Sequence, residues 1–129
     1  MRLRIATTEA SQEQTVPTNL YLVFSKRPEA ISAADYDRWY EAHAQENIES
    51  PGFLNARRFS LTPSTGNPGP FEHLAVYEYE GSQERWRADL NQRIENGDIN
   101  LPGWFPQIQF GSWDCAPVSG LLQPARPGR

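Results

Sequence analysis

The stretch Asp35-Tyr36-Asp37-Arg38-Trp39-Tyr40-Glu41-Ala42-His43, continuing through Ala44-Gln45-Glu46-Asn47-Ile48-Glu49, carries the pattern from which the fold is read. Tyr36, Trp39, Tyr40, His43 and Asn47 fall at i, i+3, i+4, i+7 and i+11, which stacks their side chains on one face of an α-helix. Arg38, Glu41, Gln45 and Glu49 take the opposite side, so the segment reads as a surface helix with an aromatic inner face. Ser32 stands before it as N-cap, and Asp35, three residues on, occupies a capping-box-like position favourable to the helix dipole. Ser50-Pro51-Gly52 ends it, because proline cannot continue the ladder and glycine tolerates positive φ. One titratable ring, His43, is thereby set among two tyrosines and a tryptophan, where burial demands a partner or a purpose.

Upstream of this helix, Asn19-Leu20-Tyr21-Leu22-Val23-Phe24-Ser25 is rich in strand formers and apolar on both faces, as a central strand is. Downstream, Phe53 to Leu61 alternates as a second strand, with Asn55, Arg57, Phe59 and Leu61 on one side and Ala56, Arg58 and Ser60 on the other. One of the two adjacent arginines must therefore point inward or into an interface, and a carboxylate such as Glu78 or Glu80 on a neighbouring strand is its expected partner. The breaker-rich run Thr62 to Pro70 is a loop. His73 to Glu80 is a third strand, carrying His73, Ala75, Tyr77 and Tyr79 on one side and Leu74, Val76, Glu78 and Glu80 on the other. Ser82 caps a second helix with the narrow stripe Trp86, Leu90 and Ile94, its outer face pairing Arg85 with Asp89 and Asp89 with Arg93. Asn96-Gly97-Asp98 breaks that helix, Leu101 to Pro106 is an irregular apolar connector, and Gln107 to Cys115 is a fourth strand. Residues 1–18 read as a flexible lead-in, 19–116 as the domain and 117–129 as a C-terminal arm.

At 129 residues the chain is sized for one domain. A net charge of −4, with the 12 basic residues scattered, gives no electrostatic footprint for nucleic acid or an anionic membrane. Cys115 is the single cysteine, which excludes an intrachain disulfide or a zinc–cysteine cluster and favours a cytoplasmic address. The opening residues lack the apolar core of a signal peptide, and no run of about 18 apolar residues occurs to span a bilayer.

The order strand, helix, strand, strand, helix, strand is the split βαβ, ferredoxin-like α+β pattern, with two helices on one face of a four-stranded antiparallel sheet. Trp39-Tyr40-Glu41-Ala42-His43, the Ser-Pro-Gly-Phe turn at 50–53 and the Arg57-Arg58-Phe59 strand resemble the dimeric α/β-barrel superfamily, and within it the EthD-like branch, over roughly residues 19 to 115. The resemblance implies a homodimer whose two sheets close face to face into a barrel, and a pocket in each subunit between its own sheet and helices. It is poorly specific for chemistry: members include cofactor-free monooxygenases, polyketide cyclases, lactone isomerases, haem enzymes, hydroxynitrile lyases and proteins of no established activity.

His43 accordingly has two readings. It is either a structural group tying helix to sheet, or a general acid–base group acting without a cofactor on a largely apolar, carbonyl- or phenol-bearing small molecule. The corresponding site has His43 as catalytic residue, with Tyr21, Tyr36, Trp39, Tyr40, His73, Tyr77 and Trp86 around the substrate. The competing use of the tyrosines is to pack their rings and spend their hydroxyls on the scaffold, and that of the tryptophans is core or dimer wall. His73, beside Glu72 at a strand entry, is better explained as an edge residue, although strand entry also places it near a pocket mouth. With two histidines no metal site is expected, and a haem could find an imidazole only in His43 or His73. A non-catalytic ligand-binding or structural dimer is the alternative. His43 is expected to sit near tyrosine hydroxyls rather than a carboxylate, and so to stay neutral at pH 7.

Overall fold

The computed structural model describes residues 18–125; the expected lead-in falls almost wholly outside them, as do the last four residues of the arm. Strand β1 (Asn19–Lys26), helix α1 (Ala33–Asn47), strands β2 (Phe53–Ser60) and β3 (His73–Tyr79), helix α2 (Gln83–Glu95) and strand β4 (Gln109–Cys115) follow in the expected order. The sheet runs β2-β3-β1-β4 and every pair is antiparallel, the ferredoxin-like arrangement. β4 begins two residues later than its alternation suggested, because Phe105–Gln107 forms a 3-10 turn ahead of it.

Both helices start where the sequence placed them. The Ser32 hydroxyl accepts from the Asp35 N–H and the Ser82 hydroxyl from the Arg85 N–H, each satisfying a donor the first helical turn leaves free. α1 ends at Asn47, capped by Ile48, before the Pro-Gly turn is reached. The expected Arg85–Asp89 and Asp89–Arg93 pairs do not form among the described residues. Arg93 turns toward α1 instead, donating to the Ser50 hydroxyl at 2.8 Å and to the Glu46 carbonyl at 2.6 Å. A guanidinium on the carbonyls of a helix C-terminus gains more than one in water on a surface pair.

The inner face of the sheet packs on both helices. Tyr36 and Ser25 are fully buried, and the Tyr36 hydroxyl donates to Ser25 Oγ at 2.8 Å. Trp86 of α2 is fully buried between Tyr21, Phe53 and Tyr79, at ring-centroid distances of 4.7, 4.9 and 5.6 Å. Arg58 is the inward arginine. Its guanidinium lies 4.5 Å from the centre of the Tyr40 ring and 3.2 Å from Asp37 of α1, so the expected strand partners are replaced by a helix carboxylate, while Asn55 donates to Glu78.

The outer face is apolar. Register aligns Phe59, Leu74, Phe24 and Gly111 in one row and Arg57, Val76, Leu22 and Trp113 in the next. Phe71 crosses this face above Gly111, where an added Cβ would meet its ring at 3.0 Å. Trp113 is 55% and Phe59 44% exposed. Beyond β4, residues 116–125 form no helix or strand and leave Val118, Leu121 and Leu122 in water.

Gly52 closes the turn from α1 into β2 at φ +104°, with the Glu80 carbonyl 3.0 Å from where a Cβ would stand and the Glu80 N–H donating to the Gly52 carbonyl at 2.9 Å. Gly52→Ala meets both a left-handed backbone and an immovable oxygen. Urea unfolding of that variant should show a loss of about 1–3 kcal/mol.

Candidate active site

Between the sheet and the helices lies a cavity of about 280 Å³. Its floor is Tyr21 and Val23 of β1 with Tyr77 of β3, and one wall is Tyr40, His43 and Asn47, the inner stripe of α1. Leu90 and Ile94 of α2 form the facing wall, Leu101 and Phe105 of the connector the roof, and Phe110 and Ser112 of β4 the remaining side. Two larger hollows are surface grooves. One, of about 540 Å³, runs between α1 and Arg57 and Arg58 of β2; the other, of about 390 Å³, lies under the 61–71 loop on the outer sheet face. Neither contains His43.

The His43 ring stacks on Trp39 at 4.7 Å and 17° and meets Tyr40 edge-on at 5.8 Å. Its Nδ1 is sealed from solvent without a hydrogen-bond partner. The ring makes no hydrogen bond and is held by packing, chiefly on Trp39, and Nε2 is the ring nitrogen that is not sealed. Burial depresses its pKa from 6.5 to about 4, leaving a neutral imidazole at pH 7. The expected tyrosine partners are not its hydrogen-bonding neighbours. The strands do lack carboxylates at this level, but the next turn of the helix itself supplies one: Glu46 Oε1 lies 4.0 Å from Nδ1.

Tyr40 and Tyr77 stay protonated at neutral pH, since burial raises Tyr40 well above 10 with Tyr77 adding to it, and burial raises Tyr77 to about 12. The Asn47 amide donates to the Tyr77 hydroxyl at 3.1 Å. That bond uses the tyrosine oxygen as acceptor and leaves its proton free to be donated.

Of the residues the sequence nominated, His43, Tyr21, Tyr40 and Tyr77 come together around the cavity; the rest stand elsewhere. Trp39 lies behind His43, its Nε1 donating to the Asn100 carbonyl at 3.2 Å. Tyr36 spends its hydroxyl on Ser25, and Trp86 is core. His73 packs on Tyr36 at 5.5 Å and faces Asp37 at 3.9 Å, away from the cavity, its pKa lowered by burial and then by Arg58. Asn47 was visible on the stripe but had no evident role, whereas Leu101, Phe105, Phe110 and Ser112 arrive from segments whose periodicity says nothing about a pocket.

The arrangement defines a ferredoxin-like α+β domain with a partly open, aromatic-walled pocket carrying one uncharged imidazole. Among solved structures, the chain is similar to a protein from Shewanella loihica PV-4 provisionally named a monooxygenase, at 13% identity and a TM-score of 0.53, over 81% of this chain and 97% of that one. It also aligns with an ethyl tert-butyl ether (EthD) family protein from Bacillus halodurans C-125, at 11% identity and a TM-score of 0.47, over 79% of this chain and 99% of that one. A third is a dimeric ferredoxin-like protein from an uncultured marine organism, at 14% identity and a TM-score of 0.49, over 81% of this chain and 99% of that one. No protein-family model and no curated protein matches the sequence. Likeness at this level of identity is likeness of fold, and the fold is the one the sequence pattern called for.

The depressed His43 pKa has a stability consequence of definite sign. Between about pH 6.5 and 4 the unfolded chain binds a proton that the folded one refuses, so stability present above 6.5 is lost on acidification through that window. A shift of this size corresponds to about 3 kcal/mol. Urea midpoints measured from pH 7 to pH 4 should fall more steeply for the wild type than for His43→Gln.

Proposed function

We propose that the protein is a cofactor-independent small-molecule enzyme in which His43 Nε2 acts as general base, and its conjugate imidazolium as general acid. The observation that carries this reading is a neutral imidazole on a cavity wall with no hydrogen-bond partner of its own. On this reading the Tyr77 hydroxyl, made a better donor by the amide of Asn47, holds a carbonyl or phenol oxygen and stabilises the oxyanion that proton removal creates. Among the described residues no Lys or Arg side chain lines the cavity, so a carboxylate or phosphate would enter without a counter-charge and an uncharged, largely apolar substrate is preferred. Proton removal of this kind leads on to elimination, cyclisation, isomerisation or oxygenation. The provisional name of the Shewanella protein is compatible with the last of these.

Two observations support a homodimer formed through the outer sheet face. Among the described residues no helix covers the apolar rows around Leu22, Phe24, Leu74 and Val76, over which only the 61–71 loop with Phe71 reaches, and Trp113 and Phe59 project from the same surface. The single Cys115 suits a reducing, cytoplasmic setting. No helix among the described residues is long and apolar enough to cross a membrane.

The ligand that copurifies, identified by mass spectrometry, supplies the first substrate candidates. With a turned-over substrate in hand, His43→Gln should fold, keep the cavity and lose about 10²–10⁴-fold in kcat. The wild-type kcat/KM should fall on acidification toward the depressed pKa. Unimpaired turnover in His43→Gln removes the residue from catalysis. Sedimentation at micromolar concentration should give a dimer that Leu22→Glu, at the centre of the outer face, converts to monomer; a wild-type monomer defeats the interface.

A further inference from the structure

Glu46 occupies an unfavourable place. It lies in the last turn of α1, at the negative end of the helix dipole, where a carboxylate is disfavoured unless something compensates it. Part of the compensation is visible: both carboxylate oxygens face the backbone N–H of Asn100, at 3.3 and 3.4 Å. These are long contacts, and they fix the carboxylate against the connector without exhausting its capacity as an acceptor. Its side chain is only 31% exposed, and on its inner side Oε1 stands 4.0 Å from His43 Nδ1, the nitrogen that is sealed from water and has no other partner. A sealed imidazole nitrogen and a held carboxylate one helical turn apart are complementary, and a movement of about 1 Å brings them to hydrogen-bond distance.

Resting on the acid–base reading of His43, we propose that Glu46 is the positioning residue of the site, its carboxylate accepting the Nδ1–H of His43 and so presenting the Nε2 lone pair to the cavity. The tautomer of a neutral imidazole is set by the bond its other nitrogen makes, and Glu46 is the charged group within reach of Nδ1. The other titratable side chains lining the cavity are Tyr40 of α1, Tyr21 of β1 and Tyr77 of β3; burial raises Tyr40 and Tyr77 so that neither is anionic at neutral pH, and Arg93 of α2 is engaged with the main-chain carbonyl of Glu46. When Nε2 takes a proton from the substrate, the imidazolium that forms already has its counter-charge at Nδ1, and the same proton returns from Nε2 to the product or to solvent. The Asn100 tether joins this contact to the connector: Leu101, which lines the cavity, is the next residue after the one that holds Glu46, and Phe105 lies four residues beyond it.

The test is ¹⁵N NMR of histidine-labelled protein, which reads the tautomer without any substrate. In the wild type at pH 7, His43 should show a protonated Nδ1 and an unprotonated Nε2. Glu46→Gln, which still offers an acceptor oxygen but no charge, should keep that tautomer and titrate lower than the wild type. Glu46→Leu, which removes the acceptor, should move the population toward the Nε2–H form and lower the titration further. Asn100→Pro removes the N–H that tethers Glu46 but leaves the carboxylate, and should preserve the wild-type tautomer. A wild-type His43 protonated at Nε2, which needs no variant to observe, overturns the proposal, as does an unchanged tautomer in folded Glu46→Leu. Failure here leaves the turnover test of His43→Gln standing, and a catalytically silent His43→Gln leaves the tautomer assignment standing, so the two readings fail separately.

Discussion

The polar tips on the buried face of α1 impose the constraint on which the rest of the structure depends. Rings of the size of Tyr36, Trp39 and Tyr40 provide the apolar area that holds helix to sheet, but each carries a group that costs free energy if buried without a partner. The fold answers them nearly one by one. Ser25, small enough to fit beneath the helix, accepts from Tyr36; the connector carbonyl at Asn100 accepts from Trp39; Arg58 lies over the Tyr40 ring; and Tyr77 accepts from Asn47. Ser25, Arg58 and Tyr77 sit where the antiparallel register puts them, so helix and sheet specify one another. Two sealed atoms on this face are left without a hydrogen bond, His43 Nδ1 and Asn47 Oδ1, and of the two only the imidazole nitrogen belongs to a titratable group.

Much of this architecture was legible because it rests on local periodicity. The three-and-four spacing of the α1 aromatics, the serine caps and the alternation in β3 each follow from backbone geometry, and the ferredoxin-like order follows from them. The inward arginine was also visible from alternation, but its partner was not. Strand neighbours are the natural guess for an arginine on an edge strand, yet Arg58 projects from the helix-covered face, where Asp37 is nearer than Glu78, which lies on the opposite face. The same reason explains Arg93. An outer-face pairing rule sees only its own helix, whereas the C-terminal carbonyls of α1 belong to another element.

The site was half legible. Residues on the α1 stripe and the inner strand positions were nominated because periodicity assigns them a face, and Tyr21, Tyr40, His43 and Tyr77 indeed share a cavity. Periodicity gives direction but not depth. Tyr36 and Trp86 face inward just as truly, and packing fills the space around them completely, so they line nothing. The roof comes from the irregular connector, which has no repeat to read. Glu46 escaped notice because it falls off the inner stripe, and a helical wheel does not show that the side chain of one turn reaches sideways to the ring of the turn before.

The cavity itself follows from the narrowness of α2. Its inner stripe carries one large residue, Trp86, followed by Leu90 and Ile94, so the ring fills the space beneath the first half of the helix and the aliphatic chains do not fill it beneath the second. The empty end is the end at which α1 presents His43 and Asn47. A scaffold under selection for stability alone would gain by closing this gap with a larger side chain at position 94, since each buried methylene contributes on the order of 0.8 kcal/mol. It would gain again by replacing an imidazole whose charged form burial opposes. The chain forgoes both in the same few ångströms. The forgone stability is concentrated around one imidazole, and it is this concentration on which the acid–base proposal for His43 rests.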